Sequence, residues 1–212
     1  MYVGLVLTNF FVVSPLARSF ARRNIAEAFR IPSAAMAPTI LAGDYVYVDR
    51  NTKAPSPGEI VAFRSVDEPG LTVLKRAVAV GGDTVEMTDG RLRRNGRLIA
   101  EPYAVATDPT AEADPATILR MRAWQGPLLI RDTAGYRPRL RTWGPLELPQ
   151  GTFFDLGDNR DASYDSRYYG PVPAVNVVGR LRAVYYSYEP ESYRPLPFLS
   201  SVRWSRLGLL PR

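Results

Sequence analysis

Histidine and cysteine are both missing from the 212 residues, which removes a Ser-His-Asp triad, a Cys-His dyad and any zinc site built on imidazole or thiolate. A general base must then be Lys, Asp, Glu or Tyr. Three separated segments carry the residue types for such chemistry. IPSAAMAPTI, Ile31 to Ile40, holds Ser33 and Ala35 in a proline-stiffened connection. LKRAVAVGGD, Leu74 to Asp83, holds Lys75 and Arg76, and GDNRDASYDSRYYGPVP, Gly157 to Pro173, gathers Asp158, Ser163, Asp165 and Arg167. A lysine that accepts protons must be neutral near pH 7, although its ordinary pKa is about 10.4; burial lowers it by up to about 3 to 5 units. Lys75 stands in a run whose alternation puts Leu71, Val73, Ala77 and Ala79 on its own face and Arg76 on the other, a dry setting for an amine. The competing reading is a solvent-exposed strand lysine, and the third segment also reads as a polar turn capped by its own carboxylates. A calcium loop is discounted: Asp158, Arg160 and Ala162 break the alternate-ligand pattern, and the required glycine is missing.

The elements that must hold these residues are mostly strands. GDYVYVDR alternates Tyr45, Tyr47 and Asp49 against Val46 and Val48, which predicts a half-buried strand. Further strands are expected over 59–63, 71–80, 151–156 and 177–188. Asp89-Gly90 and Asn95-Gly96 are tight-turn dipeptides, so 84–99 folds into hairpins with Arg91, Arg93, Arg94 and Arg97 at their tips. Residues 101–149 read as an inserted lobe of short strands and loops, anchored by Trp124 and Trp143. Residues 189–212 form a tail whose pattern points to no role beyond lying on a membrane surface.

The start of the chain differs from the rest. Residues 2–16 are almost uncharged and apolar, followed by Arg18, Arg22 and Arg23, so 1–30 reads as an N-terminal membrane anchor or interfacial helix. A cleaved leader fits less well, because no positive stretch precedes the apolar run. The net charge of +6 suits anionic lipid or nucleic acid, but the arginines are scattered and no nucleic-acid reading motif accompanies them. With 46% apolar and 23% charged residues, the remainder is long and apolar enough for a globular core.

In this order and spacing the three segments resemble the type I signal peptidases, whose motifs read PSxSMxPTL, KRxxxxxGD and GDNRxxSxDSRxxG. The third is the most specific, since Gly157, Asp158, Asn159, Arg160, Ser163, Asp165, Ser166, Arg167 and Gly170 all match; the resemblance covers 29–179, with 101–149 matched only loosely. It implies a mainly β fold: an antiparallel catalytic domain over 31–188, with an N-terminal helical membrane segment, on the outer (extracytoplasmic) face of the cell membrane. The implied reaction removes signal peptides from exported preproteins with a serine nucleophile and a lysine base. The implied partners are those signal peptides and the lipid bilayer, with no nucleic acid, cofactor or metal. Carried over residue by residue, Lys75 is the base, Ser163 orients it, Asp165 and Arg167 hold the site together, and Asp158 and Arg76 support it. Ile31, Met36, Ile40 and Leu74 match positions lining shallow pockets for small side chains, although apolar strand residues are also ordinary core. A self-cleaving repressor-type peptidase shares this chemistry but needs a DNA-binding domain ahead of residue 31.

The departure is at Ala35, where the family carries its nucleophile and where alanine offers no attacking atom. Three readings stay open: an introduced serine-to-alanine exchange, a natural homologue that binds without cleaving, or attack by Ser33. In an extended segment Ser33 and Ala35 share a face with Cα atoms about 6 to 7 Å apart. Ser33 therefore needs a different loop path to come within catalytic hydrogen-bond reach of Lys75.

Overall fold

A computed structural model describes residues 26–51, 54–108, 110–130 and 135–211. Among these residues eleven strands form two antiparallel sheets. The large sheet contains β1 (Ala26–Arg30), β2 (Asp44–Asp49), β3 (Ile60–Arg64), β4 (Thr72–Val80), β9 (Thr152–Leu156), β10 (Val172–Pro173) and β11 (Val177–Ser187), in the order β1-β2-β11-β3-β4-β9-β10. The small sheet contains β5 (Thr84–Thr88), β6 (Arg91–Arg94), β7 (Arg97–Leu98) and β8 (Trp143–Glu147), in the order β7-β6-β5-β8. The chain leaves the large sheet through Gly81-Gly82, builds the small sheet, and returns along β9, which pairs with β4.

The expected alternation along β2 holds. Val46 and Val48 are fully buried with Ile60, Leu181 and Val184, and Ile31, Met36 and Ile40 pack onto them from the loop between β1 and β2. A second cluster, with Trp143, Leu146, Phe154 and Leu156, joins the two sheets. The expected Asp-Gly and Asn-Gly turns are present, with positive φ at Asp89, Gly90, Asn95 and Gly96, the backbone that places two-residue hairpin turns between twisted strands.

Three features differ from expectation. Residues 26–30, read as part of the N-terminal helix, form the edge strand β1; the rest of that segment, 1–25, lies outside the described residues, among which no helix is long and apolar enough to cross a membrane. The lobe at 101–149 contains a helix, α1 (Pro115–Gln125), beside the strand β8. Asp114 starts it by accepting from the amides of Ala116 and Thr117, with proline at the first position. Its buried stripe is Thr117, Met121 and Gln125, with one apolar member, so hydrophobic periodicity could not reveal it. Finally, β4 carries a bulge: Ala77 pairs with Asp155 but Ala79 with Phe154, leaving Val78 extra. Past the bulge the faces exchange, so Ala79 packs with Phe154 in the inter-sheet cluster while Ala77, Val73 and Val80 pack with Val61, Phe63 and Phe153.

Candidate active site

The second face of β4 supplies Lys75, and the bulge decides its company. Val61 pairs with Lys75 in the sheet, and Ala77 and Phe153 lie on the same face, so the amine rises from an apolar floor and is only 5% exposed. Its Nζ donates to Ser163 Oγ at 2.8 Å. Burial pushes the amine pKa below the ordinary lysine value, opposed by the charges of Asp165 and then Asp155. The exposed-lysine alternative is thereby removed.

Beyond Leu156 the chain departs from the sheet, since β9 pairs with β4 only from Arg76 onward. The first half of β4, up to Lys75, borders a cavity of about 260 Å³ on that open side. Ser33, Ala35, Met36, Ile31, Leu74 and Lys75 all contribute to its wall. Ile40 does not: it is fully buried with Val46 and Val48, and the core reading of that residue is the right one. The loop is not extended, because Ala37 N donates to Ala34 O at 3.0 Å and Ile40 N to Met36 O at 2.8 Å, so the shared-face relation between Ser33 and Ala35 does not apply. Ser33 is exposed and makes no hydrogen bond to Lys75, whose partner is Ser163.

Gly157 lets the parts meet. A Cβ there would lie 2.2 Å from Ser163 Oγ and 2.6 Å from the carbonyl oxygen of Ala35, so only glycine allows both to close on the end of β9. Asn159 ties the same loop down, its amide donating to Ala35 O at 3.1 Å.

The supporting residues are buried ion pairs outside the cavity. Arg76, on the opposite face from Lys75, grips Asp158 through Nε to Oδ1 at 2.8 Å and a terminal nitrogen to Oδ2 at 2.7 Å, and stacks 3.7 Å from the Tyr103 ring. Asp158 Oδ2 also accepts from Thr39 Oγ1 at 2.5 Å, linking the pair to the loop that carries Ala35. Asp165 caps the short helix α2 (Ser166–Tyr169), accepts from Gly157 N at 3.0 Å, and is held by Arg167 through two contacts of 2.8 and 2.9 Å. Burial works against the Asp165 charge, but Arg167 outweighs it and keeps the carboxyl below the usual range. The self-capping expected of this turn is present, and the caps hold Ser163 in place.

Sequence reasoning missed three contributors. Glu101 accepts from Arg160 at 2.5 Å, fastening the inserted lobe to the motif. Arg206, in the tail, donates to Thr39 O at 2.9 Å and to Asp44 Oδ2 at 2.6 Å. Asp155 is completely buried beneath α2. No periodicity or motif marks Glu101 or Arg206; Asp155 was visible as a charge inside an otherwise apolar strand.

Comparison with known proteins identifies the family. The family model described as "Signal peptidase, peptidase S26" matches residues 4–186. Signal peptidase I of Pseudomonas aeruginosa is 34% identical over 207 residues, covering 85% of this chain and 72% of that protein. Signal peptidase I of Aquifex aeolicus is 29% identical over 237 residues, covering 92% of this chain and 91% of its own. With the family model running through both sheets and a relative this similar over most of its length, the chain belongs to the signal peptidase I family of serine endopeptidases.

Proposed function

We propose that the protein is a membrane-anchored endopeptidase of the outer membrane face, built to remove N-terminal signal peptides from exported preproteins with Lys75 as general base. One observation carries this reading: the buried contact between Lys75 Nζ and Ser163 Oγ, at the wall of a cavity that also contains position 35. An extended peptide laid along the open edge of β4 pairs through its backbone, while Ile31, Met36 and Leu74 admit small apolar side chains. A hydroxyl at position 35 gives its proton to the neutral amine as its oxygen bonds to the scissile carbonyl carbon. The ammonium then protonates the departing nitrogen, and water repeats the sequence to release the acyl group. Ser163 holds the amine in one rotamer throughout.

Alanine at position 35 supplies no such oxygen, and that favours a second reading: a homologue that captures signal peptides, or acts as a membrane scaffold, without cutting. A preprotein cleavage assay on this chain and its Ala35→Ser, Ser33→Ala and Lys75→Ala variants separates them. The peptidase reading expects a gain of several orders of magnitude from Ala35→Ser; loss of a serine nucleophile costs about 10⁶ in a well-studied serine protease. Adding Lys75→Ala then abolishes the gain, and the Ala35→Ser rate climbs with pH to a plateau reached below the ordinary lysine pKa of about 10.4. No gain from Ala35→Ser leaves the capture reading. If residual cleavage by the parent survives Ser33→Ala undiminished, Ser33 is not the nucleophile.

A further inference from the structure

Asp155 sits where β9 would ordinarily hold an apolar residue. Its neighbours on the strand, Phe153, Phe154 and Leu156, are all buried hydrophobics, and Asp155 itself is 0% exposed. It pairs with Ala77, which puts it on the face of β4 that carries Lys75, one diagonal step from the amine. Such diagonal neighbours are about 7–8 Å apart at the backbone, within reach of a long side chain. The carboxyl is built into its position. Ser166 Oγ donates to Oδ2 at 2.6 Å and accepts from the Asp155 amide at 3.0 Å, while Tyr169 donates its hydroxyl to Oδ1 at 2.8 Å. Both donors are neutral hydroxyls, and they come from α2, the helix that follows Ser163 and Asp165. Nothing in the proposed chemistry uses this carboxyl, and a charge buried there costs stability that its two hydroxyl donors offset only in part.

We propose that Asp155 is a positioning residue for the Lys75 amine: a buried carboxyl, fixed by Ser166 and Tyr169, whose charge state governs how readily that amine gives up its proton. Burial, and next the Asp165 charge, push the Asp155 carboxyl up to about 7, so it changes charge around neutral pH. The other ionisable groups around the pair are accounted for. Arg167 keeps Asp165 ionised, so its charge acts on both groups as a constant background; Asp158 is paired with Arg76, and burial raises the Tyr169 hydroxyl, which stays a donor. That leaves Asp155 and Lys75 to titrate as a coupled pair: the carboxylate favours the ammonium, and the neutral acid releases it.

The inference rests on Lys75 being the base, and the test reads the two ideas separately without any cleavage. The chain has only two lysines, Lys53 and Lys75, so carbon-13 at lysine Cε gives two resonances that can be followed through a pH titration. In the unsubstituted protein the Lys75 midpoint is expected below that of an ordinary lysine. Asp155→Asn keeps the shape and removes the charge, and is expected to lower the midpoint further by about one pH unit, the low end of what a nearby opposite charge produces. Tyr169→Phe, which withdraws a donor from the carboxylate and keeps Asp155 less ionised, moves it the same way by a smaller amount and serves if Asp155→Asn does not fold. Lys53 is the internal reference and stays put. A depressed Lys75 midpoint that neither variant moves overturns the role of Asp155; a Lys75 midpoint at the ordinary lysine value overturns instead the reading of Lys75 as base.

Discussion

Exchanging Asp158 for asparagine tests whether the buried ion pairs hold the active-site loop. The substitution preserves shape but takes a bidentate carboxylate from Arg76, in a place where both side chains are about 1% exposed. Removing one partner of such a buried pair costs about 3–5 kcal/mol, because the remaining charge has been desolvated without full compensation. Thr39 Oγ1 also loses a charged acceptor, a bond of the kind that contributes about 1.5–3 kcal/mol; the two figures overlap, since one carboxylate serves both partners. For a chain of this size each kcal/mol moves the melting temperature by about 2–4 °C, so Asp158→Asn is expected to melt about 6–20 °C below the parent. Thermal unfolding at pH 7 reads this directly, with an Arg76→Met, Asp158→Leu double variant as the second corner. Since that variant buries no charge, it is expected to lose much less than the two single exchanges together. A melting point for Asp158→Asn within 2 °C of the parent, or a double variant as damaged as the sum, would refute the argument.

Two further perturbations follow from the same geometry. Gly157→Ala drives a methyl group to within 2.2 Å of Ser163 Oγ, so it is expected to separate Ser163 from Lys75 and to cost about 1–3 kcal/mol by overpacking, seen as a lower urea midpoint and an altered Lys75 Cε resonance. Lys75→Met is expected to stabilise the fold at pH 7. Because the native amine resists protonation, the unfolded chain binds more protons between the depressed folded pKa and the unfolded value of about 10.4, and stability rises with pH across that window. The advantage of Lys75→Met should therefore be full below the folded pKa and shrink as pH approaches 10; equal urea midpoints at pH 7 would count against a desolvated amine.

The sequence made the strands and the chemistry readable to different depths. β2 and the hairpins β5–β6 and β6–β7 follow from local signals alone, the first from alternation and the others from Asp-Gly and Asn-Gly at their turns. The environment of Lys75 was half right: burial followed from alternation on its N-terminal side, but the extra residue Val78 exchanged the faces beyond it, and a bulge leaves no mark in a run of valines and alanines. Ile40 was open to both readings because an apolar residue looks the same whether it lines a cavity or fills a core, and the structure buries it in the core. The helix α1 carries a start signal at Asp114-Pro115 but no apolar stripe to extend it. Contacts such as Arg206 with Asp44 depend on where the chain returns in space, and neighbouring residues do not encode that.

The reach of Arg206 also bears on the order in which the protein acquires its shape. The loop around Thr39 and Asp44 is fastened by a guanidinium that lies more than 160 positions further along the chain, so during synthesis the strands flanking the loop emerge long before their final tie exists. Until residue 206 has cleared the ribosome, Asp44 lacks this guanidinium, and the loop is held by Asn159, Asp158, Ser187 and its own backbone bonds. The last fastening of the segment that carries position 35 therefore depends on residues that follow both sheets in the chain.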